Sequence, residues 1–139
     1  MPSKKRVLCV DDNPDTCALI AATLKGWKVV SEHSHAEGLR RAASEKFKLI
    51  LLDYHLPDGT GIDLCRKIRL FDISTPILLV TVTHTINHDD VVAAGGQGVF
   101  RKDHLIHILP VAMANALELK LAPTPSRFRA KTHTSSQTN

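Results

Sequence analysis

Short, continuous apolar runs constrain the fold of this chain more than any other feature. The predicted strands are Val7–Val10, Trp27–Ser31, Leu49–Asp53, Ile77–Val82 and Gly98–Arg101. Runs that are apolar at successive positions, rather than alternate ones, are typical of strands buried on both faces of a parallel sheet. Helical signals fill the intervals between them. The sequence therefore predicts an α/β doubly wound domain with five parallel strands and five helices.

Capping residues predict where the helices begin. Asn13-Pro14 combines an N-cap with a Pro at the first helical position, and Gly26 ends that helix. Ser34 and Glu37 have the spacing of a capping box, which predicts the second helix.

The later helices have weaker signals. Thr60 is placed to cap a third helix, and a short fourth helix fits His88–Ala94. The last helix is predicted over Leu105–Leu121. Pro110 lies inside that pattern, which suggests that the regular part of the helix begins near it.

The positive charge of the chain is unevenly distributed. The 139 residues carry a net charge of +4, but Arg127, Arg129 and Lys131 follow Pro123 with no acidic residue among them. Without those three, 15 basic and 14 acidic residues remain, so the rest of the chain is nearly neutral. We predict a folded domain over residues 1–122 and a flexible basic tail over 123–139. The sequence has no basic stripe mixed with aromatic residues, so it does not indicate nucleic-acid binding by the domain itself.

The cysteines and the N-terminus favour a reducing compartment, the cytoplasm. Cys9, Cys17 and Cys65 are odd in number and lack C-x-x-C spacing, which disfavours a disulfide framework or a zinc site. Cys9 and Cys65 have apolar neighbours and are predicted to be small buried hydrophobic residues. The apolar run behind the basic N-terminus is too short for a signal peptide or a membrane span. We predict a cytoplasmic protein that does not bind membranes.

Polar side chains follow four of the predicted strands. Asp11 and Asp12 follow the first strand, Asp53 ends the third, Thr81 ends the fourth and Lys102 ends the fifth. In doubly wound sheets the carboxyl ends of the strands form the binding site, so these side chains are expected to converge.

This convergence predicts a particular chemistry. Neighbouring carboxylates repel one another unless a cation joins them, and oxygen ligands with room for water suit Mg²⁺. Asp53 could then attack phosphorus as a carboxylate nucleophile. The Thr81 hydroxyl and the Lys102 ammonium could bind the transferred phosphoryl oxygens. Taken singly, each residue has an ordinary alternative as a helix cap, a solvated charge or a loop residue.

The histidines suggest a competing site. His84 and His88 are four residues apart and could form a metal-binding pair on a helix, but no third ligand is evident. We interpret these two, together with His104 and His107, as solvated side chains.

Four motifs make this sequence similar to response-regulator receiver domains, the phosphoacceptor half of bacterial two-component signalling. They are VLCVDD (Val7–Asp12), LILLDYHLPDGTG (Leu49–Gly61), PILLVT (Pro76–Thr81) and GVFRK (Gly98–Lys102). The resemblance covers about residues 5–121 and implies the flavodoxin-like receiver fold.

The resemblance also implies roles for the residues of the site. Asp53 would be the phosphorylation site. Asp12 and Asp53 would bind Mg²⁺ directly, Asp11 would assist, and the backbone carbonyl of His55 would complete the protein ligands. Thr81 would bond the phosphoryl group and shift on activation.

Further implied properties concern the phosphoryl group and the partners. Lys102 would pair with the phosphoryl group. A sensor histidine kinase or phosphotransfer protein would dock on the first helix. An output protein would bind the face of the fourth helix, fifth strand and fifth helix, and the receiver would be a monomer or a weak homodimer.

Three positions depart from the common pattern of the family. Val82 replaces the usual Ala after the switch residue, Val99 replaces an aromatic residue, and Asp103 replaces a Pro. The absence of that Pro resembles a subgroup that often stands alone or beside kinase modules. His55 and Thr83 occupy positions that tune dephosphorylation in the family.

The leading interpretation is a stand-alone signalling switch rather than an enzyme acting on other substrates. The three departures leave open a pseudo-receiver that binds its partner independently of phosphorylation. A Mg²⁺-dependent phosphohydrolase is a further alternative, although such enzymes commonly use a second Asp where His55 stands. Nucleotide binding is the weakest reading, because neither G-x-G-x-x-G nor a P-loop occurs.

Overall fold

A parallel five-stranded sheet lies at the centre of the computed structural model, which describes residues 5–82 and 85–121. The strands in chain order are β1 (Arg6–Val10), β2 (Lys28–Glu32), β3 (Leu49–Asp53), β4 (His55–Leu56), β5 (Gly59–Thr60), β6 (Ile77–Thr81) and β7 (Gly98–Arg101). The main sheet has the order β2-β1-β3-β6-β7, while β4 and β5 form a small antiparallel hairpin. The predicted fold class is confirmed.

Five helices connect the strands in the described residues. They are α1 (Pro14–Thr23), α2 (His35–Ser44), α3 (Gly61–Ile68), α4 (His88–Ala93) and α5 (Lys102–Leu121). The predicted caps are confirmed: the side chains of Asn13, Ser34 and Thr60 each accept a hydrogen bond from a backbone N–H in the first turn of α1, α2 and α3. These bonds satisfy donors that a helix start leaves unpaired.

The strands are apolar at successive positions because each face of the sheet has its own core. Leu8 and Val10 of β1 belong to the cluster that packs under α2, α3 and α4. Val7 and Cys9 belong to the cluster on the other face, under α1 and α5. Side chains alternate between the two faces of a strand, so burial on both sides requires a continuous apolar run.

The start of the last helix is the clearest correction. The pattern placed the regular part near Pro110, but α5 begins at Lys102, directly after β7. Pro110 lies inside the helix and is exposed. Burial of Leu109 and Met113 against the sheet holds the helix together although the Pro supplies no N–H at that turn. Lys102 is therefore the first helical residue and not the end of the strand.

Smaller outcomes concern single residues. β2 runs one residue later than the second predicted strand. β6, which corresponds to the fourth predicted strand, stops at Thr81 rather than Val82. Cys9 and Cys65 are buried as predicted, and burial raises the pKa of the Cys65 thiol to about 11. Trp27 packs against the cluster under α1 and α5.

Some predictions lie outside the described residues, namely those on Thr83, His84 and the tail from residue 123. The other three histidines of the predicted solvated group are exposed. Across 5–82 and 85–121, the helices lack the combination of length and apolar composition that would let one cross a bilayer.

Candidate functional site

The acidic residues meet where the strand order of the sheet reverses. β1 and β3 are neighbours, although the chain passes through β2 between them. Asp11 and Asp12 directly follow β1, and Asp53 is the last residue of β3. Carboxylate oxygens of the three lie within 4.8 Å of one another. A crevice outside the strand ends at such a reversal is the preferred ligand site of doubly wound sheets.

The three carboxylates differ in exposure to solvent. Asp11 and Asp53 are only 2% and 6% exposed, whereas Asp12 is exposed. The Asp11 side chain also accepts a hydrogen bond from the N–H of Asn13, which fixes its orientation at the start of α1. This cluster has hard oxygen donors at short spacing and an opening to solvent through Asp12, which are the properties that a Mg²⁺ site requires.

Lys102 directly follows β7, an outer strand of the sheet, and brings a positive charge to the cluster. Its Nζ lies 2.9 Å from Oδ2 of Asp11 and 3.4 Å from Oδ2 of Asp53. Burial alone would lower the pKa of the Lys102 ammonium. The hydrogen bond to Asp11 and the nearby carboxylate charges outweigh burial, so the pKa is raised.

The carboxyl group of Asp53 is strongly perturbed by its surroundings. Its pKa is raised from 3.8 to about 6, first by burial and then by the charge of Asp11. Lys102 and the N–H of His55 oppose this rise, because both favour the ionised carboxylate. A carboxylate that is destabilised in this way gains from any cation that enters the cluster.

Thr81 and His55 also lie at this edge of the sheet. Thr81 is 2% exposed and ends β6, one position beyond Val80, the residue that pairs with Asp53. His55 follows Asp53 by two residues, and its N–H lies 3.4 Å from Oδ1 of Asp53. Its imidazole is exposed, with the Tyr54 ring packed edge-on against it. The predicted ligand role of the His55 carbonyl stays a prediction.

A glycine allows the chain to turn back beside Asp53. The N–H of Gly61 donates to the carbonyl of Tyr54 at 2.7 Å. A Cβ at Gly61 would lie only 2.4 Å from the backbone oxygen of Asp53. No side chain fits in that gap, so the first residue of α3 must be Gly for the loop to close over the end of β3.

A second set of contacts, which sequence reasoning missed, holds this loop. The carboxylate of Asp58 accepts hydrogen bonds from the N–H groups of His35 and Ala36, at 2.7 and 3.1 Å. The His35 ring is buried against Gly59 and lies 3.1 Å from Oδ2 of Asp63. The loop after Asp53 is therefore tied to the start of α2, more than twenty residues away in the chain.

A further contact reaches the site from the loop before α2. Nδ1 of His33 lies 2.8 Å from the backbone oxygen of Asp11, and this hydrogen bond raises the pKa of the imidazole. A pattern of single residues could not predict it, because the contact depends on how β2 and β1 pair.

The three departures from the family pattern differ in their surroundings. Val82 is 67% exposed, and Val99 packs against the core under α3 and α4. Asp103 is exposed, and its carboxylate pairs with Arg101.

Comparison with known proteins assigns this arrangement to a family. Residues 7–109 match the family described as the response regulator receiver domain. The chain belongs to this family. The match covers both sheet faces and every residue of the acidic cluster together with Lys102.

Solved receivers share the fold closely. A receiver domain protein described as CheY-like, from Methanospirillum hungatei JF-1, is 26% identical with a TM-score of 0.79, over 85% of this chain and 97% of that one. The chemotaxis protein CheY4 of Vibrio cholerae is also 26% identical, with a TM-score of 0.72, over 81% of this chain and 98% of that one.

Curated relatives of this receiver are longer proteins. The transcriptional regulatory protein GlrR of Escherichia coli is 33% identical over 132 residues, which are 88% of this chain and 28% of GlrR. The cell cycle transcriptional regulator CtrA of Caulobacter vibrioides is 34% identical over 108 residues, which are 73% of this chain and 47% of CtrA. This chain thus spans less than half the length of these relatives.

Proposed function

We propose that this receiver accepts a phosphoryl group on Asp53 in a Mg²⁺-dependent reaction and thereby changes its affinity for a protein partner. The single observation that carries the proposal is the position of Asp53, which is buried at the strand end within 4.8 Å of Asp11 and Asp12 and 3.4 Å from Lys102. This arrangement combines a nucleophile, a set of metal-binding oxygens and a cation.

The transfer is a displacement at phosphorus. A carboxylate oxygen of Asp53 forms a bond to phosphorus while the bond between phosphorus and the donor's leaving atom breaks. The electron pair of that bond goes to the leaving group, such as the imidazole of a phosphohistidine, which then takes up a proton. Asp53 becomes an acyl phosphate, and no oxidant or further reactant is needed.

The residues of the cluster would each contribute to this step. Asp11, Asp12, Asp53 and the carbonyl of His55 would hold Mg²⁺, which supplies positive charge that neutralises the phosphoryl oxygens when it is bound. The Lys102 ammonium would move from the carboxylates to a phosphoryl oxygen, and the Thr81 hydroxyl would donate to another.

Partner binding follows from this change at the strand ends. Thr81 is the last residue of β6, and Lys102 directly follows β7. A shift of either residue would therefore reach the face formed by α4, β7 and α5. We propose that an output protein reads this face, and that a sensor histidine kinase or phosphotransfer protein docks on α1 beside Asp12. The named relatives are transcriptional regulators, and the region shared with them supports the receiver's switch rather than a particular output.

We further propose that the receiver unit comprises residues 1–122 followed by a basic tail, that the protein works in the cytoplasm, and that it is not an enzyme for other substrates. The three cysteines are free thiols in the described residues, which is compatible with a reducing compartment. None of the three departures replaces Asp11, Asp12, Asp53, Thr81 or Lys102, which supports a working switch over a phosphorylation-independent module.

Intact-mass measurement after incubation with Mg²⁺ and acetyl phosphate tests the proposal. We expect the mass of one phosphoryl group on the natural chain and none on Asp53→Asn. Asp90→Asn is the matched control, because Asp90 is an exposed carboxylate on α4. A beryllofluoride complex measured in parallel covers a short-lived acyl phosphate. Equal incorporation in Asp53→Asn, or neither phosphate nor beryllofluoride on the natural chain, would contradict the assignment.

A further inference from the structure

The outer edge of β2 has no strand partner in the described part of the chain. β2 is the first strand of the sheet order and pairs with β1 alone. The N–H of Lys28 and the C=O of Glu32 both bond toward β1. Because backbone groups alternate in direction along a strand, the N–H and C=O groups of Val29 and Ser31 face outward. Such an edge can pair with another extended chain.

A basic groove runs beside this edge on the α2 face of the sheet. It has a volume of about 560 Å³, and its charged lining residues are Arg6, Lys28, Arg41, Glu45 and Lys46. Glu45 is already paired with both arginines. Lys28 and Lys46 have no salt bridge to a carboxylate within residues 5–82 and 85–121, so the groove has an excess of positive charge.

Arg6, which lines the groove, has an unpaired hydrogen-bond donor among the described residues. Nε of Arg6 is buried and has no hydrogen-bond partner among the described residues. The guanidinium is held in place by Glu45 and by the Phe47 ring, whose centroid lies 5.3 Å from it. A buried N–H that lacks an acceptor is costly, so this guanidinium carries a positive charge whose hydrogen bonds are only partly satisfied within the described residues.

We propose that this edge binds an extended acidic segment of a partner protein, which adds to the sheet as a strand beside β2. The outward groups of Val29 and Ser31 would pair with the backbone of the segment, and its alternate side chains would lie over the groove. Carboxylates at those positions would meet Lys28 and Lys46. An extended polypeptide repeats its donors and acceptors at the spacing of a strand edge, which favours a peptide over a nucleic acid or a lipid surface.

This surface is separate from the phosphorylation site. Lys28 begins β2 at the amino edge of the sheet, whereas Asp53 ends β3 at the opposite edge. Binding at β2 is therefore expected in Asp53→Asn as well, so a failed phosphorylation test would leave this proposal standing.

Amide hydrogen exchange of the full chain, followed by NMR, tests the strand addition. The probe is a soluble peptide of about ten residues that alternates Glu and Thr. At saturation we expect the Val29 and Ser31 amides to exchange about tenfold more slowly, whereas the amide of Val30 already faces β1 and should not change. Absence of protection at Val29 and Ser31 would overturn the proposal.

Further comparisons separate strand pairing from simple charge attraction and locate the binding surface. The same peptide with N-methyl groups at alternate residues keeps its charge but loses donors, and should bind about tenfold more weakly. The double variant Lys28→Glu, Lys46→Glu should weaken binding similarly, while Lys25→Glu, an exposed residue outside the groove, should not. Fluorescence of Trp27, which directly precedes β2, supplies the affinities. Equal binding of the methylated peptide, or of single-stranded DNA, would identify a general polyanion surface and refute strand addition.

Discussion

The ammonium of Lys102 lies 3.4 Å from the carboxylate of Asp53, although β6 separates the two strands that position them. The same nitrogen lies 2.9 Å from Asp11. One ammonium group thus contacts two buried carboxylates. A divalent metal and this ammonium act on the same charges, so the two are expected to compete for them.

This competition predicts the effect of removing the charge at position 102. Lys102→Met should raise the affinity for Mg²⁺ by about threefold to tenfold, because the carboxylates lose their resident cation. The rate of phosphorylation should fall in the same variant, since the phosphoryl oxygens lose a donor. Isothermal titration gives the Mg²⁺ affinity, and Lys102→Arg, which keeps the charge, is the control. Weaker Mg²⁺ binding in Lys102→Met would contradict the prediction.

The pKa of Asp53 predicts how stability changes with pH. The folded carboxyl has a pKa of about 6, above its ordinary value of 3.8, so the folded state binds more protons than the unfolded state between these values. Ionisation of Asp53 therefore lowers the free energy of unfolding as pH rises through this window. Asp53→Asn should be more stable than the natural chain by about 1–2 kcal/mol at about pH 7 without Mg²⁺.

Urea unfolding at two pH values checks this sign. The advantage of Asp53→Asn should disappear at about pH 4, where the natural Asp53 is protonated in the folded protein. Excess Mg²⁺ should stabilise the natural chain more than the variant, and its removal with a chelator should reverse that gain. A variant that is less stable at neutral pH would show that the pair with Lys102 outweighs burial.

The N-cap of α3 predicts a modest and specific loss. Oγ1 of Thr60 accepts a hydrogen bond from the N–H of Asp63 at 3.1 Å. Thr60→Ala should lower the free energy of unfolding by about 1 kcal/mol, because that donor is left without a partner. Thr60→Ser keeps the oxygen and should lose much less, as judged from urea unfolding midpoints. Equal losses in both variants would assign the effect to the methyl group.

Pro110 predicts a stabilising substitution. It lies inside α5 with its ring exposed, where it supplies no N–H and crowds the preceding turn. Pro110→Ala should raise the free energy of unfolding by about 1–2 kcal/mol, after the gain in unfolded-state entropy is subtracted. Val111→Ala is the neighbouring exposed control, and thermal unfolding is the measurement. A lower melting temperature in Pro110→Ala would mean that α5 depends on a bend at this position.

The sequence predicted what depends on local chemistry. The five strands followed from continuous apolar runs, and the starts of three helices followed from Asn13, Ser34 and Thr60. The cluster of Asp11, Asp12 and Asp53 followed from the rule that parallel strands end at one edge. The sequence-based prediction for the start of α5 was wrong because packing of its buried residues outweighed the local penalty of Pro110.

Contacts between distant segments could not be predicted. The bonds from His35 and Ala36 to Asp58 join α2 to the loop after β3, and no local pattern encodes such a pair. The groove beside β2 was missed for a related reason. Its charges come from β1, β2, α2 and the two residues after α2, so they are dispersed in sequence and do not form a visible basic run.

The close approach of Gly61 to the end of β3 bears on how the chain can vary over evolutionary time. A Cβ at this position would collide with the backbone of Asp53, so even the smallest side chain is excluded. Gly61 has no functional group, yet a complete mutational scan would rank it beside the nucleophile in intolerance. Loss of activity at residue 53 would reflect missing chemistry in a folded protein, whereas loss at residue 61 would reflect a loop that no longer closes. Cellular abundance, measured beside activity, would separate the two causes.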